Sequence, residues 1–277
     1  MALTITTNVA SLNAQKSLVG TQRAMDQSFA RLSSGYRINQ AADDAAGLAI
    51  SENLRAQIRG LGQANRNAND GISLVQVAEG GLNEVANMLI RLRELGVQAA
   101  SDTIGDTERK FVDVEYQQLK SEIQRISEVT NFNGYDLLNG TGGIIDVQVG
   151  VHNDPFKDRI SFNTAAANSS IDSLGIAIEG VSTKESAQNS LDNVDSALVS
   201  VNAMRANFGA LQNRLQSTIN NLNVAHENFS AANSRIRDTD IANESAELTR
   251  NTIMKQAGVS VLSQANQAQQ LALKLLG

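Results

Sequence analysis

The side chains best suited to chemistry are few in this chain and do not cluster. Its two histidines, His152 and His226, have no metal-ligating partner at helical spacing. Cysteine is absent, which removes disulfides, thiolate metal sites and a cysteine nucleophile. Two acidic pairs, Asp43-Asp44 and Asp238-Thr239-Asp240, offer hard oxygen ligands of the kind a divalent cation takes. No third and fourth oxygen ligands stand near either pair in sequence, so a turn or a helix N-cap is the better reading of both. The sequence patterns of zinc proteases, serine hydrolases, P-loops and dinucleotide-binding turns are not found. N-x-[ST] sequons occur at Asn139, Asn168, Asn228 and Asn243. The last two fall on expected helices, where chance composition explains them better than glycosylation. The expectation is a chain with no catalytic residues, no metal and no cofactor, and not an enzyme.

Composition points the same way. Aromatic residues are 4 % of the 277, and Pro155 is the one proline. Large aromatic side chains bury the most area per residue and dominate ordinary cores and pockets, so packing here is thin. The formal net charge of −6 is unevenly spread: residues 1–60 and 235–277 are slightly basic, and the stretch between them is acidic. Near-neutral ends rich in Ala, Asn and Gln repel one another little, which suits segments that must associate. Without a basic stripe, nucleic acid is not expected as a partner. No apolar run approaches the roughly 20 residues that cross a bilayer, so no membrane is expected either. The start, MALTITTNVASLNAQ, lacks a basic region followed by an apolar one, and no cleavable secretory signal is expected from it.

Periodicity is the strongest signal. Between Gly47 and Ala99, Leu54, Leu61, Ala68, Val75, Leu82, Leu89 and Gly96 interleave with Ile50, Gln57, Ala64, Gly71, Ala78, Val85, Leu92 and Ala99. A repeat of 3.5 residues held this long is a coiled-coil seam rather than a globular amphipathic stripe. A second seam runs through Val194, Val201, Phe208, Leu215, Leu222, Phe229 and Ile236, with Ala197, Met204, Leu211, Thr218, Ala225 and Ala232 three positions on. Val112, Tyr116, Leu119, Ile123 and Ile126 mark a shorter helix between them. Weaker registers occupy the ends: Ile5, Leu12 and Val19, then Leu18, Met25 and Leu32, and finally Met254, Val261, Ala268 and Leu275 beside Ala257, Ala265 and Ala272. One helix over 47–99 is about 80 Å long, so either Gly60-Leu61-Gly62 or Gly80-Gly81 breaks it or the molecule is a rod; the unbroken register favours a bent or locally weakened rod.

The middle of the chain reads as β structure. Ile145, Val147, Val149 and Val151 alternate with polar residues and glycine, Asn153-Asp154-Pro155 supplies a turn, and Ile160 and Phe162 begin a return strand. Asn133-Gly134 and Asn139-Gly140 are turn dipeptides. Ser182-Thr183-Lys184-Glu185 fits a capping box that opens the second long helix.

The terminal blocks carry a resemblance. Ile5-Thr6-Thr7-Asn8, then Leu32-Ser33-Ser34-Gly35-Tyr36-Arg37-Ile38-Asn39, then Asp43-Asp44-Ala45-Ala46-Gly47-Leu48-Ala49-Ile50 closely resemble the N-terminal region of bacterial flagellin. Ser234-Arg235-Ile236-Arg237-Asp238-Thr239-Asp240 and the run from Gln256 to Asn266 resemble its C-terminal region. Ala42 stands where the family usually has a basic residue, and Gln269 where it often has proline. The chain resembles a short form that lacks the large outer domains.

This resemblance implies a mainly α fold: an elongated coiled-coil-like helical bundle with a small β-hairpin head and terminal helices that order on assembly. Residues 1–44 and 235–277 would be filament-core helices, 45–130 and 186–234 the arms of a helical rod domain, and 131–185 a short head. Weakly apolar terminal helices bury too little to offset their ordering entropy alone, which suits ends that fold on assembly. The implied function is a structural subunit of the flagellar filament used for swimming, secreted to the cell exterior. The alternative is a hook–filament junction protein that does not self-polymerise. Implied partners are further copies of the chain, the export apparatus and its chaperone, and the filament cap and junction proteins. Subunit packing is assigned to Ile5, Leu12, Val19, Leu32, Arg37, Ile38, Asn39, Asp43, Asp44, Ile236, Asp240, Val261, Leu262, Gln264, Asn266 and Leu275. Arg91, Arg93, Glu94 and Leu95, with Glu115, resemble the patch through which the animal Toll-like receptor for flagellin makes contact; the other reading of that patch is a solvated helix face that packs between subunits.

Overall fold

The computed structural model describes residues 7–274, with side chains as far as residue 267; Ile5 and Leu275 lie outside the described residues. The fold is mainly α. Among the described residues are five long helices, α1 (Val9–Ser34), α2 (Ala45–Ala99), α3 (Asp106–Val129), α4 (Lys184–Arg237) and α5 (Ile241–Lys274), and two antiparallel strand pairs, both between α3 and α4. These are β1 (Asn131–Phe132) with β2 (Tyr135–Asp136) and β3 (Ile144–Gln148) with β4 (Arg159–Asn163). The chain divides into two compact units, one of residues 57–227 and one of residues 1–56 with 228–277.

In the unit of residues 57–227 the two seams close a core. Leu82, Val85, Leu89 and Leu92 of α2 are 0 % exposed, and Val194, Val201, Phe208 and Leu215 of α4 are nearly so. Tyr116 and Ile123 complete the core from α3. Each such side chain contributes roughly 1.5–3 kcal/mol through loss of apolar surface to water. Burial pushes the Tyr116 phenol up to about 12.

Neither candidate glycine break interrupts α2, which runs for 55 residues. Side chains of the segment after α3 stand opposite three of the α2 glycines, whereas a Cβ on Gly62 or Gly80 would meet nothing within 4 Å. A Cβ on Gly60 would come within 2.7 Å of Val151, one on Gly71 within 3.3 Å of Val147, and one on Gly81 within 2.8 Å of Leu138 and Thr130. The helix gives up about 1 kcal/mol per glycine so that the hairpin region can approach its backbone. The end of α2 is held by Arg109, whose Nε donates to the Ala99 carbonyl at 2.8 Å while Nη1 meets Asp106 at 2.7 Å.

The hairpin has the expected register, with Ile145 opposite Phe162 and Val147 opposite Ile160. It ends earlier than the alternation suggests. The N–H groups of Val149 and Gly150 both donate to the Asp158 carbonyl, at 2.8 and 3.0 Å, and this bulge-like sharing stops the ladder before Val151. Asn133 and Gly134 take φ of 49° and 83° between β1 and β2, the left-handed pair that a two-residue hairpin turn requires. The cap of α4 sits one residue later than the sequence suggests: Ser186 N–H donates to Thr183 Oγ1 at 3.2 Å and Thr183 N–H to Ser186 Oγ at 3.1 Å. A second hydroxyl thus takes the part that Glu185 was expected to play.

Candidate functional site

The other unit holds most of the residues assigned to subunit packing. Its corner forms where α1 gives way to α2 and α4 to α5. Gly35 ends α1 at φ 73°, a left-handed cap whose N–H reaches the Arg31 carbonyl. The next residues pair with the second corner: Tyr36 bridges Asp238, Arg37 N–H donates to the Arg237 carbonyl at 2.6 Å, and Thr239 N–H to the Gly35 carbonyl at 3.0 Å. Arg37 Nη2 also donates to the Ile236 carbonyl at 2.6 Å. Arg237 lies over the Tyr36 ring, 4.7 Å from its centre, and forms a 2.6 Å ion pair with Glu52. Ile38 is 1 % exposed and packs so tightly on Gly47 that a Cβ there would come within 2.7 Å of it.

The acidic pairs act as turn and cap residues. Asp43 accepts the N–H groups of Asn39 and Gln40 at 3.1 and 3.0 Å, and these backbone donors, with Gln27 and Arg31, hold its carboxyl below the usual carboxylate range. Asp44 accepts the Gly47 N–H at 2.8 Å at the start of α2, and Asp240 accepts the Ala242 N–H at 2.9 Å at the start of α5. Among the described residues, no three of the His, Asp and Glu side chains are grouped to hold a metal ion.

Alongside this corner α1 packs on α5, and the packing is unusual in what it buries. The α1 positions turned inward are Ser11, Ala14, Leu18, Thr21, Met25, Ser28 and Leu32, of which only Ser11 and Ser28 are fully buried. On α5 they are Glu244, Leu248, Asn251, Lys255, Gly258, Leu262 and Ala265, with Asn251 buried. Leu18 seats on Gly258, Arg31 faces Glu244 at 3.6 Å, and Asn8 donates to the Ala265 carbonyl at 3.0 Å. Large apolar side chains point the other way: Val9, Leu12, Val19 and Phe29 on α1 and Ile253, Val259 and Val261 on α5 are all more than half exposed.

These findings sort the assigned residues. Arg37, Ile38, Asn39, Asp43, Asp44, Ile236 and Asp240 meet at the corner; Leu32 and Leu262 lie half-buried in the α1–α5 seam; Leu12, Val19, Val261, Gln264 and Asn266 are exposed. The C-terminal register read as Met254 and Val261 is therefore not the face that α1 covers. The covered face begins at Glu244 and was hidden because Glu244, Asn251, Lys255 and Gly258 interrupt its two leucines, Leu248 and Leu262. Tyr36, Glu52 and Arg237 were also missed as partners, since an aromatic–cation–carboxylate contact spread over some two hundred positions leaves no local pattern.

The Arg91 patch lies in the unit of residues 57–227. Arg91 joins Glu94 at 2.9 Å and Glu115 at 2.8 Å, and Arg93 joins Asp195 at 2.6 Å. Hydrogen bonds that Arg91 donates to the Glu94 and Glu115 carboxylates hold its guanidinium above its usual range. All five charged side chains are about half exposed, so these ties orient the patch more than they stabilise it. Leu95, 1 % exposed, is part of the core beneath and not of that surface.

Long helices with enclosed seams, and terminal helices whose large apolar side chains face outward, define the class of this architecture. Comparison with known proteins makes this specific. The profile of the bacterial flagellin N-terminal helical region matches residues 5–142, and that of the bacterial flagellin C-terminal helical region matches residues 191–276. The chain belongs to the bacterial flagellin family. It is 44 % identical to a flagellin of Halalkalibacterium halodurans over 97 % of this chain and 98 % of the relative. It is 41 % identical, again over 97 % and 98 %, to the flagellar filament 33 kDa core protein of Treponema phagedenis. The crystal structure of Bacillus cereus flagellin superposes with a TM-score of 0.51 at 33 % identity, covering 57 % of this chain and 88 % of that one. A putative flagellar hook-associated protein of Vibrio parahaemolyticus shares the fold, with a TM-score of 0.58 at 14 % identity over 71 % of this chain and all of that one.

Proposed function

We infer that this chain is a structural subunit that polymerises with copies of itself into the bacterial flagellar filament. The observation that supports this most is the inverted packing of α1 and α5. Ser11, Ser28 and Asn251 are enclosed while Leu12, Val19, Ile253 and Val261 stand in water. Small enclosed side chains yield little hydrophobic free energy, and an apolar face of this extent is stable in water only when something covers it. Further copies of the same pair supply that cover, and head-to-tail contacts that do not close generate an open helical polymer. Residues 1–44 and 235–277 are then the filament-core layer, ordered on docking. The chain travels to the growing tip through the flagellar export apparatus with an export chaperone, meets the filament cap and junction proteins there, and works outside the cell. The half-exposed Arg91, Arg93, Glu94 and Glu115 are suited to contact by an animal Toll-like receptor, and equally to packing between subunits.

Seeded elongation tests this reading. Purified chain added to filament fragments is expected to lengthen them, and Leu12→Ser or Val19→Ser is expected to raise the critical concentration at least about tenfold. Wild-type chain that never lengthens seeds at high concentration would point instead to a junction component.

A further inference from the structure

The loop between β3 and β4 presents Phe156 at 90 % exposure. A ring in this position forgoes one of the larger contributions that any side chain makes on burial. The loop is also braced. Asp154 Oδ1 accepts the N–H of Phe156 at 2.9 Å and of Lys157 at 3.3 Å, and Asp158 N–H donates to the Asp154 carbonyl at 2.9 Å. Asp154 N–H returns the bond to Asp158 Oδ2 at 3.1 Å. Pro155, the one proline in the chain, fixes φ immediately before the ring. An aromatic held so rigidly loses little entropy when it docks.

The same unit carries a place for such a ring. A groove of about 330 Å³ opens between β4 and α4, walled by Phe162, Met204, Phe208 and Leu211, with exposed Ala166 and Arg214 on its rim. A closed apolar cavity of about 150 Å³ accepts benzene, so the groove has room for a phenyl ring. Phe162 and Phe208 stand 4.9 Å apart at a 43° tilt, the kind of aromatic wall on which a third ring packs edge to face, and Met204 adds a polarisable sulfur. Phe156 does not occupy the groove of its own copy, since its ring is in water.

We propose that Phe156 of one copy seats in the β4–α4 groove of the next copy, with Asp154 beside the ring facing Arg214 on the groove's rim. Charge agrees with this pairing: Asp154 is 40 % exposed and, beyond the two backbone N–H groups on Oδ1, its one ion pair among the described residues is with Lys157 at 3.4 Å, while Arg214 forms no ion pair among them. Knob and groove are different surfaces of one unit, so the contact can repeat from copy to copy in the head-to-tail manner that an open polymer uses. The proposal rests on the filament reading and names a surface on the unit of residues 57–227 that fixes how neighbours meet.

Two measurements test it. In seeded elongation, Phe156→Ala and Ala166→Trp, which removes the knob or fills the groove, are each expected to raise the critical concentration about tenfold. The double variant is expected to be no worse than the poorer single, because both remove one contact. Since the native chain has no cysteine, a Lys157→Cys/Asn207→Cys chain is expected to give a ladder of disulfide-linked multimers from oxidised filaments and none from dilute monomer. Wild-type chain that fails to elongate seeds overturns the filament reading itself. Wild-type elongation with unchanged critical concentrations for both variants, or filaments without the ladder, overturns this contact alone.

Discussion

Residues 57–227 and the unit formed by the two ends of the chain are built from the same geometry, long helices with an apolar repeat every seven residues, yet they differ in what the repeat encloses. In the first, Leu82, Leu89 and Leu92 of α2 meet Val194, Val201 and Phe208 of α4 with almost no surface left in water. In the second, the enclosed positions are Ser11, Ser28 and Asn251, and Leu12, Val19 and Val261 are outside. The two long helices display the change along their own length. On α2, Leu61 and Ala64 are buried but Ile50 is 52 % exposed; on α4, Leu215 and Leu222 are buried but Phe229 and Ile236 only half so. A heptad therefore marks an apolar face without saying whether this molecule or another one covers it. The first unit encloses the large apolar side chains of its seams; the second leaves many of its own in water, which on the proposed reading is surface for its neighbours.

The largest effect is expected where the repeat is enclosed. Leu89→Ala should cost about 2–5 kcal/mol, read as a lowered melting temperature of the monomer by circular dichroism. Next comes an alkaline loss specific to the same core. Tyr116 titrates near 10 when unfolded and at about 12 when folded because burial disfavours the phenolate, so its contribution is whole below pH 10 and disappears as pH rises through 12. That amounts to about 3 kcal/mol at the limit, and Tyr116→Phe should flatten this part of the stability–pH curve measured by denaturant melts between pH 9 and 12. Adjacent glycines give a smaller and oppositely signed pair. Gly81→Ala should destabilise by about 1 kcal/mol, because its Cβ would meet Leu138 and Thr130 at 2.8 Å, whereas Gly80→Ala has nothing within 4 Å and should stabilise by roughly 0.5–1 kcal/mol. Smallest of all is Val19→Ser, 53 % exposed in wild type, which should leave the monomer's unfolding free energy within about 0.5 kcal/mol while it impairs elongation. A monomer strongly destabilised by Val19→Ser would erase the contrast between the units.

Much of this was legible in the sequence, and the misses share a cause. The α2 and α4 seams are dense in Leu and Val, so their faces could be read residue by residue, as could the pairing of Ile145 with Phe162 and the turn at Asn133-Gly134. The apolar register through Met254 and Val261 did not show which face of α5 meets α1; that face runs through Asn251, Lys255, Gly258 and Leu262. Hydrophobicity points to the face that most needs burial, and here that face is left in water by this chain. The continuity of α2 followed from its unbroken register, but the use of its glycines did not: the side chains they admit, Val151 at Gly60 and Leu138 at Gly81, are seen only in the fold. The corner contact of Tyr36, Arg237 and Glu52 depends on three distant segments arriving together, which no local pattern encodes.

Amide hydrogen exchange followed by mass spectrometry, on dilute monomer and on filament, tests the division most directly. Peptides from residues 61–99 and 190–222 should be protected in both states, and those from 9–34 and 241–274 should exchange rapidly in the monomer and become protected in the filament. Full protection of the terminal peptides in dilute monomer would contradict the account.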